Sequence, residues 1–348
     1  MKKRIFLFAA LLCLALAGFG QENNDFYDNT PVKNLAGTLS IEVLGEVAVP
    51  GTVSLDSLPR RSLIVREARM AKEGLSFIGS YRYDGYSLFD ILKEMVVAKK
   101  NEAEFRSVID LLVAVENARG DKVVLSWGEI FYPTALHRIL IADRAAPIIP
   151  SETKENWPLP DAMRLVCGND LISERIIEAP TRITIFSAPL SFPGKKGQKP
   201  LVAPKFQVNK QGLQEGRVTA SLVQDFDPLK VKAAKRVYPA VFYGRGKGFH
   251  GIQQFSGWPL MDALKSMTIV PSPDSEWLRR GYLVAASIDG YRIALSVSEL
   301  FNRNDQAEFL LVDRGKGADG GRYAIFPAPD FFSDRALKAV SAVHFLIH

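Results

Sequence analysis

Few side chains in this sequence are suited to chemistry. Cys167 is the only cysteine beyond Cys13, and a thiolate there would serve as a nucleophile or a soft metal ligand. A lone cysteine after the run Arg164-Leu165-Val166 also reads as a small buried hydrophobe. Arg82, Arg164, Arg175 and His250 are the candidates for holding an anionic ligand, because guanidinium groups grip phosphate bidentately. The four histidines (His137, His250, His344 and His348) show no ligand spacing, and the chain has no CxxCH and no paired CxxC, so no metal site is expected. No Ser-His-Asp order, glycine-rich phosphate loop or paired-carboxylate site can be argued, which leaves no catalytic residue assigned. Trp127 and Trp157 read as packing aromatics or pocket walls.

The elements that must position these residues are written twice. YDGYSLFDILKEM (83–95) and FSGWPLMDALKSM (255–267) share a Gly, a Leu, an Asp and a closing Met. LLVAVENARGDKVVLSWGEIF (111–131) pairs with YLVAASIDGYRIALSVSELF (282–301), so that Gly120 matches Gly290, Leu125 Leu295, Ser126 Ser296, and Glu129 Glu299. ILIADR (139–144) pairs with FLLVDR (309–314). In a weaker fourth pair, 163–185 with 323–347, Asp170, Ser173 and Arg175 fall on Asp330, Ser333 and Arg335. Blocks in one order, with spacings that differ by loop-sized amounts, indicate two copies of one domain. Between them SAPLSFPGKKGQKPLVAPK (187–205) has linker composition. The expected organisation is copy 1 over 38–186, linker 187–205 and copy 2 over 206–348.

Within each copy, period-two apolar stretches such as LSIEVLGEV (39–47) predict strands. Ser87 is expected to cap a short helix over SLFDILKEMVV, with Asp90 and Asp262 in the first turns complementing the helix dipole. Pro259 is expected just inside the matching helix. Gly85 and Gly257 are expected to permit a tight entry into these helices. Hairpins are expected at Arg119-Gly120 and Asp289-Gly290. Ser126 and Ser298 are expected to lead the short helices WGEIF and ELF. The charged run REARMAKE (66–73) reads as a solvated helix face. The predicted class is α+β, with mixed β-sheets and short helices.

The chain has 348 residues, 47% hydrophobic and 24% charged, a globular composition long enough to bury a core without disulfides. MKKR followed by IFLFAALLCLALA and small residues predicts a signal peptide over 1–20, hence export to the periplasm or cell surface. Cys13 follows Leu11 and Leu12, where a lipidation motif has small residues. Lys2, Lys3 and Arg4 are the only charged residues of this segment, so its removal lowers the net charge from +6 to +3. The remaining basic residues are spread out apart from GKKGQK (194–199), which excludes a nucleic-acid footprint.

Taken together, these blocks resemble the molybdopterin-binding domain of the sulfite-oxidase superfamily. GYSLFDIL and GWPLMDAL stand where the family has its Gly-x-Pro-Leu helix start, and IDGYRIALSVSEL is similar to its Gly-Tyr hairpin. MRLVCG (163–168) and AIFPAP (324–329) stand at its Arg-Leu-Val-x-Pro segment, and SIEVLGEVAVPGTVSLDSLP resembles its N-terminal strand. The resemblance spans about 38–186 and again from 250 onward. It implies a molybdopterin or molybdenum cofactor and oxidoreductase chemistry, with arginines at the cofactor phosphate. Arg164 alone among the candidates stands at a motif position. The family's molybdenum-ligating cysteine lies upstream of the Gly-x-Pro-Leu helix, and neither corresponding stretch here contains one. Two readings stay open. One is a non-redox binding or structural module, with a pterin, another anionic small molecule or a partner protein as ligand. The other is a molybdenum-dependent oxidoreductase with Cys167 or a partner subunit supplying an unconventional ligand.

Overall fold

The computed structural model describes residues 31–150, 152–192, 194, 197–214, 217–315 and 320–348. The predicted signal peptide, with Cys13, lies outside the described residues. The first half runs β1 (Lys33–Asn34), β2 (Ser40–Gly45), β3 (Gly51–Ser54), β4 (Arg60–Ala71), β5 (Gly74–Ser87), α1 (Leu88–Leu92), β6 (Leu111–Asn117), β7 (Lys122–Ser126), α2 (Trp127–Phe131), β8 (Ile139–Pro147), β9 (Arg164–Cys167), β10 (Ile177–Glu178) and β11 (Pro180–Ser187). The second runs β12 (Gln207–Gln214), β13 (Arg217–Asp225), β14 (Arg236–Gly244), β15 (Gly248–Pro259), α3 (Leu260–Lys265), α4 (Ser275–Arg280), β16 (Gly281–Ser287), β17 (Arg292–Ser296), α5 (Val297–Phe301), β18 (Phe309–Asp313), β19 (Tyr323–Pro327) and β20 (Val340–Ile347). Among the described residues no helix is long and apolar enough to cross a membrane.

Among the described residues strands hold 48% and helices 11%, which makes this a β-rich fold and overturns the α+β expectation. The helices are real but only five or six residues long, each less than two turns. REARMAKE is no helix either: it continues β4 into a hairpin with β5. Leu63, Val65 and Glu67 are buried at alternate positions while Arg60, Ile64 and Arg66 face out, the period of a strand rather than a helix.

The sheet orders of the two halves correspond. The first half contains β3-β2-β11-β6-β7, in which β2 and β11 are parallel, and the second contains β13-β12-β20-β16-β17, in which β12 and β20 are parallel. Beside them lie β9-β8-β5-β4, extended by β10 and β1, and β19-β18-β15-β14. The expected hairpins form at β6–β7 and β16–β17, and Gly120 and Gly290 take φ of 87° and 81° at their turns, a region glycine enters without a Cβ penalty.

Gly85 and Gly257 serve a different purpose from the expected helix entry. Each lies within its strand, where a Cβ would meet the neighbouring strand: Ala142 Cα at 2.5 Å for Gly85, and the Leu311 carbonyl oxygen at 2.5 Å for Gly257. Glycine there permits β5 and β15 to press against β8 and β18. Ser87 caps α1 as expected, accepting from the Asp90 amide, and Asp90 and Asp262 stand in first turns. Pro259 is the residue before the first helical one of α3, rather than inside it, and Ser296, rather than Ser298, caps α5. Trp127 stacks on Phe131 at 4.2 Å, and Trp157 packs edge-on to Phe77 at 5.1 Å while donating its N–H to the Ile148 carbonyl.

The two five-stranded sheets turn apolar faces toward each other through Leu112, Val124, Tyr282, Val284, Ala294 and Leu346. Arg292 of β17 reaches into the first half, donating to Asp110 at 2.8 Å and Glu104 at 2.7 Å. Its guanidinium lies between the rings of Phe105, at 4.8 Å, and Phe192, at 5.0 Å, so the segment joining the halves is itself clamped by cation–π contact. Lys99 shares Asp110 at 2.6 Å.

Candidate functional site: a buried centre between the halves

Each half ends a strand in serine and opens a helix on it. Ser126 closes β7 and caps α2: its Oγ accepts from the Glu129 amide, and Glu129 Oε1 accepts from the Ser126 amide, both at 2.8 Å. This is a capping box, which fixes the glutamate rotamer as well as the helix start. Ser296 closes β17 and caps α5 in the same way, accepting from the Glu299 amide at 3.0 Å. Two strand-to-helix corners therefore each present a serine and a glutamate at one point.

The corners meet. Ser126 Oγ donates to Glu299 Oε2 at 2.6 Å across the divide, and Arg175 Nη1 donates to Ser296 Oγ at 3.2 Å. Arg175 Nη1 also donates to both Glu129 oxygens at 3.0 and 2.9 Å, while its Nε and Nη2 hold Asp170 at 2.9 and 2.7 Å. Arg335 repeats the arrangement, with Nη1 to Glu299 at 2.6 Å and Nε and Nη2 to Asp330 at 2.7 and 2.6 Å. The backbone follows the same two-fold logic. Leu171 N donates to Asn302 O and Phe331 N to Tyr132 O; Asn304 N donates to Asn169 O and Thr134 N to Pro329 O. Such reciprocal pairing is what an isologous interface between two like surfaces produces.

The symmetry is broken at Gly128. Gly128 of α2 matches Ser298 of α5, and a Cβ on Gly128 would stand 2.5 Å from the Arg335 Cζ. Arg335 can lie flat on α2 only because that residue is glycine. Ser298 instead donates to the Leu278 carbonyl at 2.7 Å.

The centre is buried and carries more acid than base. The side chains of Glu129, Asp170, Glu299 and Asp330 are at most 7% exposed around Arg175 and Arg335, with Arg303 acting on Asp170 and Asp330 from nearby, and an excess of buried acid is relieved by taking up protons. Burial raises the pKa of Glu129 and Asp170 against the pull of Arg175, with Glu299 adding to the rise at Glu129. Burial lifts Asp330 to about 6, opposed by Arg335 and reinforced by Glu299. Burial works against charge on both arginines, but their carboxylate partners outweigh it and hold both pKa values above the ordinary one. Asp330 is accordingly expected to titrate near pH 6 in the folded protein. A carboxyl whose folded pKa is raised contributes stability that is fully present below its ordinary value and lost as pH rises through the folded value. For Asp330 that window runs from about 4 to about 6 and is worth on the order of 3 kcal/mol. His344 and His348 act oppositely: burial pushes both down to about 4, so their contribution is lost as pH falls below their ordinary value. The Asp330 titration must therefore be followed at the residue, by carboxyl NMR, rather than from the melting temperature.

Of the five residues expected to hold a ligand, two come together. Arg175 is saturated by the centre, and Cys167 lies beside it, lining a narrow cleft with Glu129, Asp170 and Arg303. The Cys167 thiol is buried, and burial holds its pKa well above the ordinary range despite nearby Arg175, the opposite of a reactive thiolate. Arg164 stands three residues before Cys167 on β9 and so points to the other face of the strand. There it donates to Glu178 at 3.2 Å and lies 3.9 Å from Glu67, which the Tyr83 hydroxyl also engages. Arg82 of β5 lies 3.5 Å from Asp84. His250 is exposed on β15 beside the Phe242 ring at 5.9 Å. These five residues do not fit a pterin phosphate or a molybdenum-dithiolene group: the thiol is buried, Arg175 is bonded to carboxylates, and Arg164, whose Nε has no hydrogen-bond partner, points to the other face of β9 from Cys167. Among the described residues no group of three or more His, Cys, Asp and Glu side chains could hold a metal ion.

The members that residue types alone missed are Ser126, Ser296, Glu129, Glu299, Asp170, Asp330 and Arg335. Each was visible as an identity between matching blocks of the two halves of the sequence. Compared with protein-family models and with curated proteins, the sequence matches none.

Proposed function

We propose that this chain is an exported, non-redox binding or structural protein, working in the periplasm or at the cell surface. It is built from two copies of a β-rich unit related in sequence to the sulfite-oxidase-type molybdopterin-binding domain. One observation carries the reading: Arg175 and Cys167, the two candidate site residues that meet, are both consumed by a closed inter-half centre. A molybdenum centre needs an accessible soft thiolate, and a cofactor phosphate needs a guanidinium with donors to spare. The copy-to-copy faces are likewise taken up by packing against each other, so a partner would dock elsewhere. Protein purified from its native host is expected to carry molybdenum far below one atom per chain, with the same content in Cys167→Ser. Stoichiometric molybdenum, lost in Cys167→Ser, would overturn the proposal in favour of the oxidoreductase.

A further inference from the structure

The two halves differ most, near the centre, in how the space beside each short helix is filled. In the first half it is closed by rings. Phe89 of α1 lies 5.3 Å from both Phe131 and His137, and Trp127 stacks on Phe131. His137 Nδ1 is 2.9 Å from the Ser87 hydroxyl, which ties the ring to the start of α1. In the second half three matching positions carry smaller side chains, Met261 for Phe89, Val297 for Trp127 and Ala307 for His137, and Pro259 stands for Ser87 without its hydroxyl. Only the Phe131 ring has an aromatic counterpart, Phe301. The result is a cavity of about 290 Å³ floored by Met261, Leu300, Phe301 and Phe309.

The charges around this cavity leave one sign uncompensated. Arg303 is held by Asp305 at 2.8 and 2.6 Å, and Glu308 by Arg236 at 3.0 Å and the Tyr238 hydroxyl at 2.7 Å. Glu299, at its inner end, belongs to Arg335. Lys265, at the end of α3, is exposed, touches only the Phe301 ring at 5.7 Å, and has no carboxylate within ion-pair distance among the described residues. An apolar floor of this size with a single free ammonium at the rim suits a small ligand that is apolar over most of its surface and carries one negative charge.

We infer that this cavity is a binding site for small carboxylates with an aromatic or branched apolar body, the ring lying on Met261 and Phe301 and the carboxylate facing Lys265. The inference rests on reading the chain as a binding protein. Benzoate is the probe and benzamide its neutral counterpart of the same shape, with binding to the full chain followed through the Met261 methyl resonance. Benzoate is expected to shift that resonance saturably and to bind more tightly than benzamide. Lys265→Gln is expected to weaken benzoate by roughly threefold to fivefold, the range one solvent-exposed charge pair supplies, and to leave benzamide unchanged. Ala307→Trp, which refills the place His137 fills in the other half, is expected to abolish both. The site is overturned if benzoate leaves Met261 unmoved, if benzamide binds as well as benzoate, or if Ala307→Trp leaves the benzoate shift intact. These outcomes are independent of the molybdenum measurement, which bears on the redox question alone.

Discussion

Replacing Arg335 by methionine is expected to cost about 3–5 kcal/mol of folding stability, the loss that follows removal of one partner from a buried ion pair. The reason is what remains. Asp330 loses two hydrogen bonds and Glu299 one, in a site closed to water. Methionine fills much of the volume, so the loss reports stranded charge rather than an empty space. That separation can be checked within the same series. In Arg335→Met combined with Asp330→Asn and Glu299→Gln, no charge is left stranded, and most of the loss should return. Urea denaturation of wild type, the single variant and the triple variant decides it. A single variant within about 1 kcal/mol of wild type would mean that the centre is wet, since exposed pairs are worth no more than that.

The second large effect comes from adding one methyl group. Gly128→Ala would be mildly stabilising in an ordinary helix, by up to about 1 kcal/mol, because alanine is the better helix former. Here the added Cβ meets a guanidinium that cannot retreat, since its three nitrogens are all bonded to Asp330 and Glu299. The steric term should win, and the expected outcome is a loss of roughly 2–3 kcal/mol, in the range of overpacked cores. The matching change in the other half, Ser298→Ala, removes the bond to the Leu278 carbonyl and the contact with Asn302 and should cost about 1 kcal/mol. Gly128→Ala proving as stable as wild type would show that Arg335 does not rest on α2.

Much of the local structure was legible in the residues. Ser87 and Ser126 marked the starts of α1 and α2, and Asp289-Gly290 marked the β16–β17 hairpin, because capping and tight turns are decided within four residues. REARMAKE misled because a charged stretch has no apolar period to read: only Leu63 and Val65 upstream, and Glu67 turned inward to Tyr83, reveal a strand. The class was misjudged because four of the five short helices were visible and their brevity was not, while α4 was not foreseen. The centre was half legible. The identities Ser126/Ser296, Glu129/Glu299, Asp170/Asp330 and Arg175/Arg335 were in view as marks of duplication. Their partnership was not, since Ser126 pairs with Glu129 in its own half and also donates to Glu299 in the other. A repeat says which residues correspond, not that two copies face each other about an axis. The Gly128–Arg335 contact leaves a trace only as a departure from symmetry, where glycine stands opposite serine.

Cys167 shows the same limit from the other side. A cysteine after an apolar run can be inert or reactive, and the neighbours that decide it are Asp170 and Arg175, from the loop that follows it, and Glu129, from a distant helix. Their joint placement makes the thiol part of the packing and removes it from the list of ligands.

A buried, acid-rich centre is shared by both halves, and the carboxyl titration of Asp330 tests this most directly. With side-chain carboxyl carbons labelled and Asp330 assigned through Asp330→Asn, the structure predicts a midpoint of about 6. A midpoint at the ordinary aspartate value, about 4, would mean that water reaches the centre, and would contradict the closed union of the two halves.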